Sequence, residues 1–157
     1  MKTINYRRWV ISDLLKFTEI QYEFRNEDVK IDTSLIPDFV YSEQGQKELS
    51  DQLMQDRWCV FFAIHEDKII WFVCGYFQPW LANIKHGVWW YLESVYVQSD
   101  YRNQSIGKQL IDLFVTWAKE KGCDHLRLLT HSTNIWARRL YEKMGMITTS
   151  VYYEKEI

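Results

Sequence analysis

Between Trp58 and Val97 the chain carries three closely spaced runs of aromatic and β-branched residues, and few folds can absorb them. WCVFFAIHE (58–66), the turn Asp67-Lys68 and IIWFVCGYF (69–77) read as a hairpin. A longer connection from Pro79 to Gly87 leads into VWWYLESVYV (88–97). Ringed and β-branched side chains fit a pleated surface better than a helix, so three such runs in succession predict an antiparallel sheet. A sheet this apolar has to be covered, and the flanking segments have the period of helices.

Residues 3–10 predict a short first strand. Ser12 stands where a helix cap belongs, and Leu14, Leu15, Phe17, Ile20, Tyr22 and Phe24 give an apolar side through about Arg25. Segment 26–41, polar and acidic with Pro37, reads as a loop, and Ser42 to Asp56 as a second helix. After Val97 the pattern changes to Ile106, Leu110, Leu113, Phe114 and Trp117, a helix over Ser105–Lys121 that Gly122 stops. HLRLLTH (125–131) predicts a strand, Asn134 to Met144 a short helix closed by Gly145, and MITTSVYYEKE (146–156) a last strand or hairpin arm. The order gives an α+β fold, a mixed and mostly antiparallel sheet covered by helices. No linker, repeat or low-complexity tract divides residues 1–157, which read as one domain.

Composition narrows the function. With 47% hydrophobic and 25% charged residues the chain has the balance of a soluble globular protein. The first residues, MKTINYRRWVISDLLKF, lack a signal-peptide apolar run, and no later run is long enough to span a bilayer. Cys59, Cys74 and Cys123 are odd in number and form no CxxC or Cys/His cluster, so no metal site or disulfide framework is expected, and reduced thiols fit a cytoplasmic setting. A net charge of -2 gives no sign of nucleic-acid binding. From Glu19 to Asp56 ten acids face three bases, which fits either a solvated helical face or a rim that attracts a cation. The 17% aromatic content fits either a ring-filled core or a site walled by rings.

The stretch VYVQSDYRNQSIGKQL (95–110) carries chemistry: a strand ends, an Arg follows, and a turn of small residues opens an amphipathic helix. A helix N-terminus offers unpaired N–H groups and partial positive charge, which suit a phosphate. Ser105 and Gly107 let a diphosphate approach the backbone, and Arg102 and Lys108 can add charge-assisted contacts. The spacing is neither that of a Walker A loop nor of a dinucleotide GxGxxG.

These residues resemble the GNAT N-acetyltransferase superfamily, whose motif at this place is Arg/Gln-x-x-Gly-x-Gly/Ala after a strand ending apolar-x-Val. Here Arg102-Asn103-Gln104-Ser105-Ile106-Gly107 follows Val95-Tyr96-Val97, and Asn134-x-x-Ala137-x-x-x-Tyr141-x-x-x-Gly145 is similar to the family's helix after the fifth strand. The resemblance extends over residues 58–147. Ser105 replaces the first Gly, and its Cβ restricts positive φ and narrows the diphosphate approach. YLESVYVQSDYR (91–102) is closest to the diamine and polyamine acetyltransferases, with Ser94 where those carry an Asp.

The resemblance implies a GNAT fold with helices on both faces and splayed fourth and fifth strands. It also implies acetyl-CoA as co-substrate, no metal, and direct attack of a small amine on the thioester. Cofactor contacts would come from Val95, Tyr96 and Val97, from Asn103, Gln104, Ser105, Ile106, Gly107 and Lys108 around the diphosphate, and from Arg102 and Asn134. An alkylammonium, with a pKa of about 10.4, must lose a proton before it attacks. Glu93 is the candidate base, and strict alternation would put it on one face with Val95 and Val97. Tyr141 is the candidate acid for the departing thiolate, and the N–H of Val95 or Tyr96 the candidate oxyanion donor. Glu23 and Trp80 are candidate contacts to a cationic substrate, as anion and ring wall. The resemblance implies a homodimer. The amine is expected to be polyamine-, aminoglycoside- or amino-acid-like; a protein N-terminus or lysine, or a CoA-binding module without turnover, is the alternative.

Overall fold

In the computed structural model the chain is described over residues 3–78, 88–153 and 155. The strands are β1 (Asn5–Arg8), β2 (Trp58–His65), β3 (Lys68–Gln78), β4 (Val88–Val97) and β5 (Cys123–Leu128). The helices are α1 (Leu14–Asp28), α2 (Glu43–Met54), α3 (Ile106–Glu120) and α4 (Ile135–Lys143). The sheet order is β1-β2-β3-β4-β5, antiparallel through β4 and parallel between β4 and β5, with α3 in the crossover. The fold is α+β, as the element order implied.

Alternation along β2 makes the two cores. Cys59 and Ala63 go to the cluster under α3, with Leu110 and Phe114, whereas Val60 and Phe62 go to the cluster under α1 and α2. The rings are mainly core. Phe17 of α1 packs on Phe62 and Phe72 with centroids 5.4 and 5.3 Å apart, and Trp90 meets Trp117 of α3 at 4.4 Å. Burying one such side chain fully contributes about 1.5–3 kcal/mol, so these contacts fix how the helices sit on the sheet.

Several boundaries differ from the sequence reading. Ser12 lies within a 3-10 turn, Ile11–Asp13, and does not cap the helix; α1 starts after the buried Asp13, whose Oδ2 accepts the Val10 N–H at 2.8 Å. Arg7 grips both Asp13 oxygens at 2.7 Å. The expected loop 26–41 contains the end of α1 and a 3-10 turn, Pro37–Tyr41. Ser42 does cap α2, its Oγ accepting the Gly45 N–H at 2.9 Å. The tight turn is Glu66-Asp67, with φ of 49° and 60°, the mirror-image turn that suits strand twist.

The last strand is absent: the described residues from 146 onward pair with no strand. Ile147, Val151, Tyr152 and Tyr153 are 69–92% exposed. Their pattern suits a strand, but a strand exists only through its ladder, and among the described residues no neighbour offers one to this segment.

Candidate active site

Antiparallel pairing joins Cys74 to Ser94 but Gly75 to Leu92, so Glu93 is an extra residue with no partner in β3. This is a β-bulge, which bends its strand and re-aims the side chains beyond it. Pairing of β4 with β5 ends at Leu92–Leu128, although β4 runs on to Val97. The edge of β4 turned toward β5 is therefore open beside Val95–Val97, and the two strands part at the bulge.

The bulge also corrects the expected placement of Glu93. Val95 and Val97 pack with Leu92 and Trp90 in the cluster under α3. Glu93 instead interacts electrostatically with Arg25 of α1, Cys74 and Tyr76, on the opposite face with Tyr96. Its side chain reaches solvent, yet partial burial raises its pKa above the usual carboxylate value and Arg25 opposes this. Across this end of the sheet Trp58, Tyr76 and Tyr91 form a ring ladder, with Tyr76 and Tyr91 stacked at 5.4 Å and 9°.

Tyr141 lies on the other face, half-buried against the cluster that holds Leu92, Val95 and Leu128. Burial pushes its pKa up to about 12, so the phenol keeps its proton through neutral pH. α4 is fixed at both ends. Asn134 Oδ1 accepts the Ala137 N–H at 3.2 Å, so the expected cofactor contact is at least a cap. At the far end Gly145, with φ of 83°, donates to Glu142, and the Met146 N–H donates to the Tyr141 carbonyl at 3.0 Å. That closure needs the left-handed conformation that glycine adopts without cost.

At the β4–α3 turn Asn103 and Ser105 both take φ of 61°, so Ser occupies the conformation the sequence reading considered unfavourable for it. A residue such as Ser105 costs about 1–2 kcal/mol there, whereas Asn103 is of the type that tolerates this region. Gln104 Nε2 donates to the Asp100 carbonyl at 3.1 Å, and Ile106 is buried at the start of α3. A Cβ on Gly107 would come within 2.1 Å of the Trp71 ring, so Gly107 is small because the first turn of α3 packs on an indole. Its backbone N–H, expected to face a diphosphate, sits in that same first turn of α3. Both expected phosphate cations are already paired: Lys108 with Asp112 at 2.5 Å, and Arg102 with Glu27.

Glu23 accepts from Gln98 Nε2 at 2.5 Å and lines two adjoining cavities of about 180 and 380 Å³ beside α1. Glu27, Tyr96 and Asp100 line the larger one. Trp80 lies outside the described residues. Among the described residues no group of His, Cys, Asp and Glu could hold a metal ion, and no helix is long and apolar enough to cross a membrane. Glu27 was missed in the sequence; the signal was its i,i+4 spacing from Glu23, opposite the same spacing of Gln98 and Arg102.

Residues 22–146 match the model of the acetyltransferase (GNAT) family. The chain belongs to that family. A thialysine N-epsilon-acetyltransferase from Bos taurus is 42% identical over 55 residues, and one from Sus scrofa 40% over the same length. Each match covers 35% of this chain and 32% of the relative, so the chain matches about a third of their length. Among solved GNAT-like folds, the aminoglycoside N-acetyltransferase AAC(6')-Iy in complex with CoA aligns over 100% of this chain and 97% of its own at TM-score 0.78 and 16% identity. A protein described as a transcriptional regulator from Bacillus halodurans aligns over 99% and 100% at TM-score 0.80 and 20% identity. At these identities the solved structures establish the GNAT fold alone.

Proposed function

We propose that this GNAT protein moves an acetyl group from acetyl-CoA to the primary amine of a small cationic acceptor. The observation that carries the proposal is the parting of β4 from β5 at the Glu93 bulge, with Glu93 on one face of the sheet and Tyr141 on the other. The residues suit the cofactor: the open edge of Val95–Val97 can hydrogen-bond an extended pantetheine-like arm, as an added strand does. The N–H groups around Asn103–Lys108 converge at a helix N-terminus, where they can receive a diphosphate. Acetyl-CoA supplies an activated acetyl thioester at the gap.

Direct transfer needs a proton acceptor on the side where the amine enters and a donor on the side where sulfur leaves. Glu93, with its raised pKa, takes the ammonium proton, directly or through one water. Tyr141, protonated at neutral pH, hydrogen-bonds to the leaving sulfur and yields its phenolic proton to it. The Val95 or Tyr96 N–H, on a strand edge that β5 leaves open, steadies charge on the carbonyl oxygen. The amine enters from the α1 side, where the Tyr76–Tyr91 stack beside Glu93 offers ring faces to a cation, and Glu23 adds a carboxylate farther along β4, beside Gln98. Asn134 serves by fixing the helix that carries Tyr141.

Thiol release from acetyl-CoA tests this with spermidine, putrescine, an aminoglycoside set, amino acids and a basic peptide. Turnover with one class of small amine is expected. Turnover with the peptide alone would move the protein to the protein acetyltransferases, and silence across the panel with CoA still bound would leave a binding module.

A further inference from the structure

Helix α1 and the end of β4 meet through two pairs of residues with matching spacing. Glu23 and Glu27 stand one helical turn apart, so their carboxylates share a side of α1. Glu23 takes the Gln98 amide, and Glu27 is held at both oxygens. The Tyr96 hydroxyl donates to Oε1 at 3.0 Å, and the Arg102 guanidinium pairs with Oε2. Arg102 Nε also donates to the Val97 carbonyl at 3.1 Å, closing the end of β4. All these donors come from residues 96–102, immediately before Asn103 and its positive φ. A strained turn persists only where its surroundings fix it, and this clasp is the tie directly before the turn.

Arg102 can serve a cofactor in two ways that give Glu27 opposite roles. If its charge met the diphosphate, Glu27 would compete for that charge and weaken binding. If it anchors the turn, Glu27 is what anchors it. The geometry points to the second: we propose that Glu27 is a positioning residue of the cofactor site, holding through Arg102 and Tyr96 the turn whose N–H groups receive the diphosphate. The inference rests on reading that turn as the CoA diphosphate site.

Calorimetric titration of CoA into the full chain tests it with Glu27→Gln, Arg102→Gln and the double variant. Loss of a partly exposed charge-assisted contact predicts about tenfold weaker binding for each single change. The double variant should bind no more weakly than the weaker single, because both break one clasp. With saturating acetyl-CoA, kcat of Glu27→Gln should stay within about twofold of wild type, the loss appearing in KM for acetyl-CoA. Tighter or unchanged binding by Glu27→Gln would overturn the proposal, as would losses that multiply in the double variant. If Glu27→Gln does not fold, Tyr96→Phe removes only the Oε1 contact; about threefold weaker binding is expected, and unchanged affinity would overturn the clasp. A wild-type chain that binds no CoA would remove the diphosphate reading itself, whereas normal wild-type binding with indifferent variants would remove the clasp alone.

Discussion

Glu93 is where one residue of sequence changes the chemistry of a whole strand. Because the bulge leaves it unpaired, its carboxyl turns from the face of Val95 and Val97 to the face of Tyr76 and Arg25. Its folded pKa lies above the ordinary carboxylate value, so ionisation opposes folding as pH rises through that interval. Glu93→Gln should therefore be at least as stable as wild type at pH 8, with no such advantage at pH 4; thermal melts at both values check the sign. The same variant cannot take the amine proton, so its rate profile should move to higher pH, where more free amine exists. An unchanged profile would remove Glu93 as the base. Ser105→Gly relieves a left-handed serine and should stabilise the chain by about 0.5–1 kcal/mol while CoA binds no more weakly, readable in Tm and calorimetry. As candidates, Glu93, Tyr141 and Ser105 were legible in the sequence because the motifs mark them. The face of Glu93 was not, since simple alternation contains no sign of an extra residue in a strand.

At the scale of elements, the start of α1 depends on one half-buried ion pair. Arg7 and the Val10 N–H both bind the Asp13 carboxylate, and its hydrogen bond with Arg7 is the main cause holding its pKa below the usual range. A depressed carboxylate stabilises the fold above its unfolded pKa, and the contribution is lost as pH falls through the folded value. Asp13→Asn should cost about 2 kcal/mol at pH 7, with the gap to wild type closing in acid; urea midpoints across pH measure it. A constant gap would contradict the assignment. Apolar period located α1 and α3 well, and aromatic and β-branched runs located β2, β3 and β4, while α2 and α4 lie close to where they were expected. Ends were harder to place, because Ser12 has the type of a cap, yet Asp13, held by Arg7 and the Val10 N–H, draws it into a 3-10 turn ahead of α1. The segment after Gly145 shows the complementary failure: period can propose a strand, but only a partner makes one.

Over the whole molecule, two aromatic cores clamp one sheet, and β4 parts from β5 at the Glu93 bulge. Glu93 belongs to the α1 face and Tyr141 to the α3 face, which in the proposed mechanism serves attack and departure from opposite sides of one gap. The family was legible from two motifs, whereas the clasp of α1 on the β4–α3 turn was not, since it joins residues 75 positions apart. That division of roles is the central claim, and Tyr141→Phe tests it most directly. Turnover with the best amine and CoA affinity would be measured side by side on wild type and variant. Loss of the acid predicts kcat lower by about 10²–10⁴ with CoA affinity unchanged. Undiminished turnover, or a loss explained wholly by weaker CoA binding, would contradict it.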